Sequence, residues 1–175
     1  MSPAKTVVLI VIAIVGQLII ARYMTGLRSL DLILIATIYV SLERNPARAL
    51  WVGAGAGLLQ DSFSGGLIGV NSFAKTVIGF STSTLSIRVA LDSFLPRLIV
   101  MATAAALNGL IYLGLHHLFG QPLVSAPVLP QLGRRLGGVV LINTVAALIF
   151  FRLLDYWLVV RERTRAPGKP LKRRY

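Results

Sequence analysis

Residues 46–87 read PARALWVGAGAGLLQDSFSGGLIGVNSFAKTVIGFSTSTLSI, two apolar runs joined by a short polar break. In the first run, 46–60, Gly53 and Gly57 stand four apart, so they share one helix face and let a neighbouring backbone approach closely. The break, Gln60-Asp61-Ser62-Phe63-Ser64-Gly65-Gly66, is too short for a domain and too polar for lipid. Such a segment belongs where protein or a water-filled cavity surrounds it. In the second run, 67–87, Asn71, Lys75, Thr82 and Ser86 recur at one-face helical spacing. A pair of membrane helices that turns polar groups inward is the reading from which the rest follows.

Four further apolar runs flank this pair. Residues 6–21 lie between Lys5 and Arg22 with Gln17 as the strong polar interruption, about 24 Å of helix at ~1.5 Å per residue. Snorkelling of the two bracketing cations makes that enough to span. A signal peptide is the competing reading, but no convincing small-residue cleavage site follows and more apolar runs do. Residues 29–42 carry Asp31 near their start and stop at Glu43-Arg44-Asn45-Pro46, where proline marks a helix boundary. Residues 98–118 contain Asn108 and end at His116-His117, and Pro122, Pro127 and Pro130 predict an extended loop after them. Residues 136–160 contain Asn143, Arg152 and Asp155, and residues 161–175 form a basic tail. The expected architecture is all-α, a single polytopic domain over residues 1–160 with six transmembrane helices.

Composition agrees. The chain has 175 residues, 55% hydrophobic and 14% charged, with a mean hydropathy of +0.77. A soluble domain carries about 25% charged residues and cannot hide so many apolar runs. The absence of cysteine removes disulfides, thiolate metal sites and cysteine nucleophiles together. The net charge of +12 does not point to nucleic acid, because the basic residues punctuate apolar runs rather than alternate with aromatics on a soluble surface.

The basic residues instead set an orientation, since short cytoplasmic loops are enriched in lysine and arginine. Six spans with both termini in the cytoplasm place twelve basic residues inside: Lys5, Arg44, Arg48, Arg88, Arg97 and seven in the tail. Four lie outside: Arg22, Arg28, Arg134 and Arg135. The tail is a positive-inside anchor that also attracts anionic lipid headgroups.

In this topology Arg28, Asp31, Asp61, Asn71 and Lys75 share the outer half of the membrane. Lys75 lies eight residues past Leu67, roughly 12 Å deep, where a lone charge costs at least about 2.5 kcal/mol. It is expected to face a cavity or to pair with Asp31 or Asp61. Two readings stand side by side: the pairing locks helices together, or it lines a small polar pocket open to the outside. Arg152 and Asp155, three apart, are expected to pair along their own helix. Adjacent His116 and His117 diverge by about 100° and suit interfacial hydrogen bonding rather than one shared ion. No phosphate-cradling loop, metal-binding helix motif or nucleophile elbow is present. The expectation is therefore no catalysis, metal or cofactor.

The opening Leu30-Asp31-Leu32 of the second run, then Gly57-Leu58-Leu59-Gln60-Asp61, Gly65-Gly66-Leu67, Gly69 and Asn71, resembles the MreD family of rod shape-determining membrane proteins. That family shows a Pro-Asp-Leu-like opening of its second span, a glycine-rich span closing in Gly-Leu-x-x-Asp, and a Gly-Gly or Gly-Pro turn before Leu-Gly. Leu30 replaces the family's opening proline. The specific motif covers residues 30–71, and the remainder agrees in pattern.

The resemblance implies an inner-membrane component of the elongation machinery that builds the lateral peptidoglycan wall, with no activity of its own. It implies an MreC-like single-span partner, with a RodA-like glycosyltransferase, a penicillin-binding transpeptidase and the MreB filament in the wider assembly. A homodimer stays open. The family is also similar in fold to the substrate-binding S components of energy-coupling-factor vitamin transporters, which have an outward pocket. Two functions follow for the outer cluster of Arg28, Asp31, Asp61, Gly65, Gly66, Gly69, Asn71 and Lys75. One is a groove for a partner segment, with Gly53 and Gly57 serving that packing; the alternative is a solute-binding transporter component.

Overall fold

The structure is a computed structural model that describes residues 2–27, 29–89, 91, 93–120 and 129–163. Arg28, Pro122, Pro127 and the tail from residue 164 lie outside the described residues. Among the described residues six helices form, α1 (Pro3–Tyr23), α2 (Leu32–Ser41), α3 (Pro46–Ser64), α4 (Val70–Arg88), α5 (Phe94–Leu118) and α6 (Leu129–Arg163), with a 3-10 turn at Thr25–Leu27.

Local chemistry sets the boundaries. Ser2 caps α1 and Asn45 caps α3 through their side chains, and proline opens both helices, where its missing N–H has no intrahelical partner to lose. Gly65 ends α3 at φ +67 and Gly69 starts α4 at φ +100, left-handed conformations that a Cβ disfavours. The expected break at 60–66 is accordingly shorter than its polarity suggests: α3 runs on through Asp61 to Ser64, and α4 begins at Val70 rather than at residue 67. Helix α5 starts at Phe94, four residues before the expected 98, because Pro96 is tolerated in a first turn. Likewise α6 starts at Leu129, taking in Pro130, instead of at 136.

The second run departs most. Expected over 29–42, the helix covers ten residues, about 15 Å and half a hydrocarbon core. Nine of its residues, all but Tyr39, are buried. Helix α2 touches every other helix, and the rest follow one another around it in the order α1, α3, α4, α5, α6, with no contact between α1 and α6 among the described residues. The core is the α2 side chains Ile33, Leu34, Ile35 and Ile38 packed with Ala13, Met101, Ala105, Ala147 and Phe151.

The surface has the opposite polarity from that of a soluble globule. Lys75, Ser83 and Asn143 are 0% exposed, while Trp51, Ile68 and Leu118 are 74–76% exposed. Three helical segments, Pro3–Tyr23, Phe94–Leu118 and Gln131–Tyr156, are long and apolar enough to cross a bilayer. Large apolar side chains on the surface, with charged and amide groups buried inside, belong in lipid, and the protein is a helical membrane protein.

Candidate functional site

The early stop of the chain between α1 and α2 creates a problem that the site solves. A short buried helix leaves its first N–H groups, and the backbone just before it, in need of partners. Gln17 on α1 meets part of this need: its Nε2 donates to Leu30 O at 2.9 Å, and its Oε1 accepts from Leu32 N at 2.8 Å. Asn143 on α6 meets another part, its Oδ1 accepting from Asp31 N at 2.8 Å and its Nδ2 donating to Ser29 O at 2.9 Å. Asp31 then caps α2 itself, Oδ1 accepting from Leu34 N at 2.9 Å.

The second oxygen of Asp31 receives Lys75. Lys75 Nζ lies 2.7 Å from Asp31 Oδ2, with the lysine side chain 0% and the aspartate side chain 13% exposed. Asn71, one turn earlier on α4, joins this pair to Asp61: its Oδ1 accepts from Lys75 Nζ at 3.4 Å, and its Nδ2 donates to Asp61 Oδ1 at 2.8 Å. The Asp61 carboxylate also accepts from the backbone N–H groups of Gly69, Asn71 and Ser72 at 2.8, 3.2 and 3.2 Å. Asp61 thus caps α4 from a different helix, and the negative charge sits at the positive end of the α4 dipole.

Of the two partners expected for Lys75, the structure selects Asp31; Asp61 is reached only through Asn71. Asp31, Asp61, Asn71 and Lys75 come together, Gly69 contributes its N–H, and Gly65 and Gly66 form the exposed turn beside them. Arg28 lies outside the described residues. Gly53 and Gly57 are occupied by α4. A Cβ on Gly57 would stand 2.5 Å from Ser72 Cα and 2.6 Å from Asn71 O, and one on Gly53 would strike Lys75 O. The expected use of that face as a partner groove is corrected accordingly, since the chain's own helix fills it.

Sequence reasoning noted Gln17 and Asn143 only as interruptions, yet they complete the network. The signal was their setting, an amide within an otherwise apolar run, which lipid does not satisfy. His116 is 3% exposed, its Nδ1 lies 2.9 Å from Tyr112 O, and its ring lies 4.2 Å from that of Tyr112. Both side chains stand beside the Gly66 turn, while His117 is exposed.

A smaller tie holds the other end of the bundle. Asp155 on α6 accepts from Tyr39 Oη and from Arg97 Nη1, both at 2.9 Å. The pairing expected between Arg152 and Asp155 is therefore replaced: Asp155 is drawn inward, and Arg152 lies over the Phe94 ring, 5.0 Å from its centroid. Among the described residues no group of three His, Cys, Asp or Glu side chains could hold a metal ion. What the main network does chemically is hold helices: α3 to α4 through Asp61, α4 to α2 through Lys75, and α2 to α6 and α1 through the two amides.

Comparison with known proteins adds one finding. The family model of the rod shape-determining protein MreD matches residues 4–158. No curated protein and no solved structure matches the chain significantly. With a match of that extent on a bundle of this kind, the chain belongs to the MreD family of rod shape-determining proteins, membrane proteins with a role in fixing rod shape.

Proposed function

We propose that the protein is a non-catalytic scaffold of the machinery that elongates the lateral peptidoglycan wall. In this reading residues 1–160 form one six-span domain of the bacterial cytoplasmic membrane, both termini and the basic tail 161–175 are cytoplasmic, and the architecture is that of the transporter S components. The twelve-to-four division of basic residues supports the orientation. The enclosure of short α2 by the other five helices supports counting it as a span.

The observation that carries the scaffold reading is how the polar atoms are used. Asp31, Asp61, Asn71 and Lys75 are committed to one another and to helix N-termini, which makes a rigid body rather than an open ligand site. The partners in this reading are an MreC-like single-span protein, and through it a RodA-like glycosyltransferase, a penicillin-binding transpeptidase and MreB. The turn between α3 and α4 offers them a surface, with Phe63 58% and Ile68 75% exposed beside Gly65 and Gly66.

The test is a detergent pull-down of the tagged chain from its native membrane, wild type beside Phe63→Ser with Ile68→Ser. Recovery of an MreC-like protein with wild type and its loss with the double variant is the expected result. Recovery of an ATPase module and its membrane coupling subunit would overturn the scaffold in favour of a solute transporter.

A further inference from the structure

Arg152 is a cation on an otherwise apolar surface. It lies within the membrane-length stretch Gln131–Tyr156, its side chain is exposed, and around it Ile149, Leu153 and Tyr156 are 62%, 54% and 68% exposed. Among the described residues it forms no ion pair, because Asp155 is committed to Arg97 and Tyr39. Its guanidinium is held against the ring of Phe94, the first residue of α5. The charge therefore sits where α5 meets the membrane boundary.

At that level the anion available is a lipid phosphate. A guanidinium stacked on an aromatic ring keeps its edge N–H donors free, and their planar fork matches two phosphate oxygens. The surrounding charge favours an anionic lipid over a zwitterionic one: Asp155 is already paired with Arg97, so the Arg152 charge is left uncompensated among the described residues. We propose that Arg152, set against Phe94 at the seam of α5 and α6, binds the phosphate of an anionic phospholipid. This site is separate from the Asp31–Lys75 network and from the partner surface at the α3–α4 turn.

The proposal is tested on the full-length chain purified in lipid-free detergent. Dioleoylphosphatidylglycerol, dioleoylphosphatidylcholine and inorganic phosphate are titrated separately, with bound lipid read by native mass spectrometry and stability by thermal melting. The basic tail is present in every variant, so its contribution cancels. Wild type should retain phosphatidylglycerol at least about fivefold better than Arg152→Gln, with Arg152→Lys only partly restoring it. Phe94→Leu, which keeps the charge and removes the ring, should fall between wild type and Arg152→Gln. Without lipid, Arg152→Gln should melt with wild type, and added phosphatidylglycerol should raise the melting temperature of wild type more than that of Arg152→Gln. Equal retention by Arg152→Gln, an equal loss from Arg134→Gln near the opposite end of α6, or equal binding of phosphatidylcholine would overturn the site. Displacement of the lipid by equimolar inorganic phosphate would make free phosphate the ligand and overturn the lipid assignment.

Discussion

Gly53 and Gly57 on α3 press against the backbone of α4, whereas Gly133 and Gly137 on α6, at the same spacing, have nothing within 4 Å of where a Cβ would stand. Spacing alone does not separate these pairs. Their surroundings do. Beside the α3 pair, Asp61, Asn71 and Ser72 Oγ bind across to the neighbouring helix, so a close backbone approach is rewarded by hydrogen bonds that lipid cannot replace. The α6 pair has exposed Arg134 and Arg135 for neighbours and, among the described residues, no such tie. Glycine permits an approach, and polar groups that need one another make it happen.

The comparison breaks most sharply at Lys75. Replacing it by methionine keeps much of the volume but leaves the Asp31 carboxylate unpaired, which should destabilise the protein by about 3–5 kcal/mol. Adding Asp31→Asn, which retains an oxygen for the Leu34 N–H, should recover a large part of that loss. Denaturant unfolding in detergent, run as a double-mutant cycle, reads the coupling. Additive effects would mean that the ion pair does not hold α2 against α4.

A smaller effect is expected at the closed glycine pair. Gly57→Ala places a methyl group 2.5–2.6 Å from Ser72 and Asn71 backbone atoms, so the two helices must separate at a loss of about 2–3 kcal/mol. Melting temperatures of Gly57→Ala and Gly55→Ala decide this directly, because Gly55 on the same helix has open space. If both variants melt alike, close packing is not what joins α3 to α4.

Next comes the amide that reaches from α6. Asn143→Leu leaves the Asp31 N–H and the Ser29 carbonyl without their partner, a loss of about 1–2 kcal/mol for groups away from water. Amide hydrogen exchange at Asp31 should quicken, and its exchange at Lys75 should change less. Unchanged exchange at Asp31 would show that the α1–α2 connection is held by Gln17 alone.

These residues also show what the sequence made legible. The inward face of α4 was readable because its cause is local: Asn71, Lys75, Thr82 and Ser86 share a face by helical periodicity, and all four are buried. The capping role of Asp61 left only a trace, a carboxylate eight residues before Gly69 across a glycine-rich turn. The meeting of Asn143 with Asp31, 112 residues apart, left none, since nothing in local spacing selects one distant helix over another. The shortness of α2 was hidden for a related reason. Residues 29–31 stay outside the helix, and Gln17 and Asn143, distant in sequence, bind their backbone.

The smallest effect carries the reverse sign and is the closest test of the glycine comparison. At Gly137 a Cβ meets nothing, so alanine keeps the packing, lowers the freedom of the unfolded chain and raises helix propensity, together stabilising by up to about 1 kcal/mol. The same substitution at Gly57 destabilises. A pair of melting curves, one variant above wild type and one below, would establish that the two glycine pairs differ in surroundings rather than in sequence. If Gly137→Ala instead lowers the melting temperature of the purified chain, another surface covers α6 there in solution. The concentration dependence of that loss would then identify a second copy, because only self-association makes the stability of a pure protein depend on its own concentration.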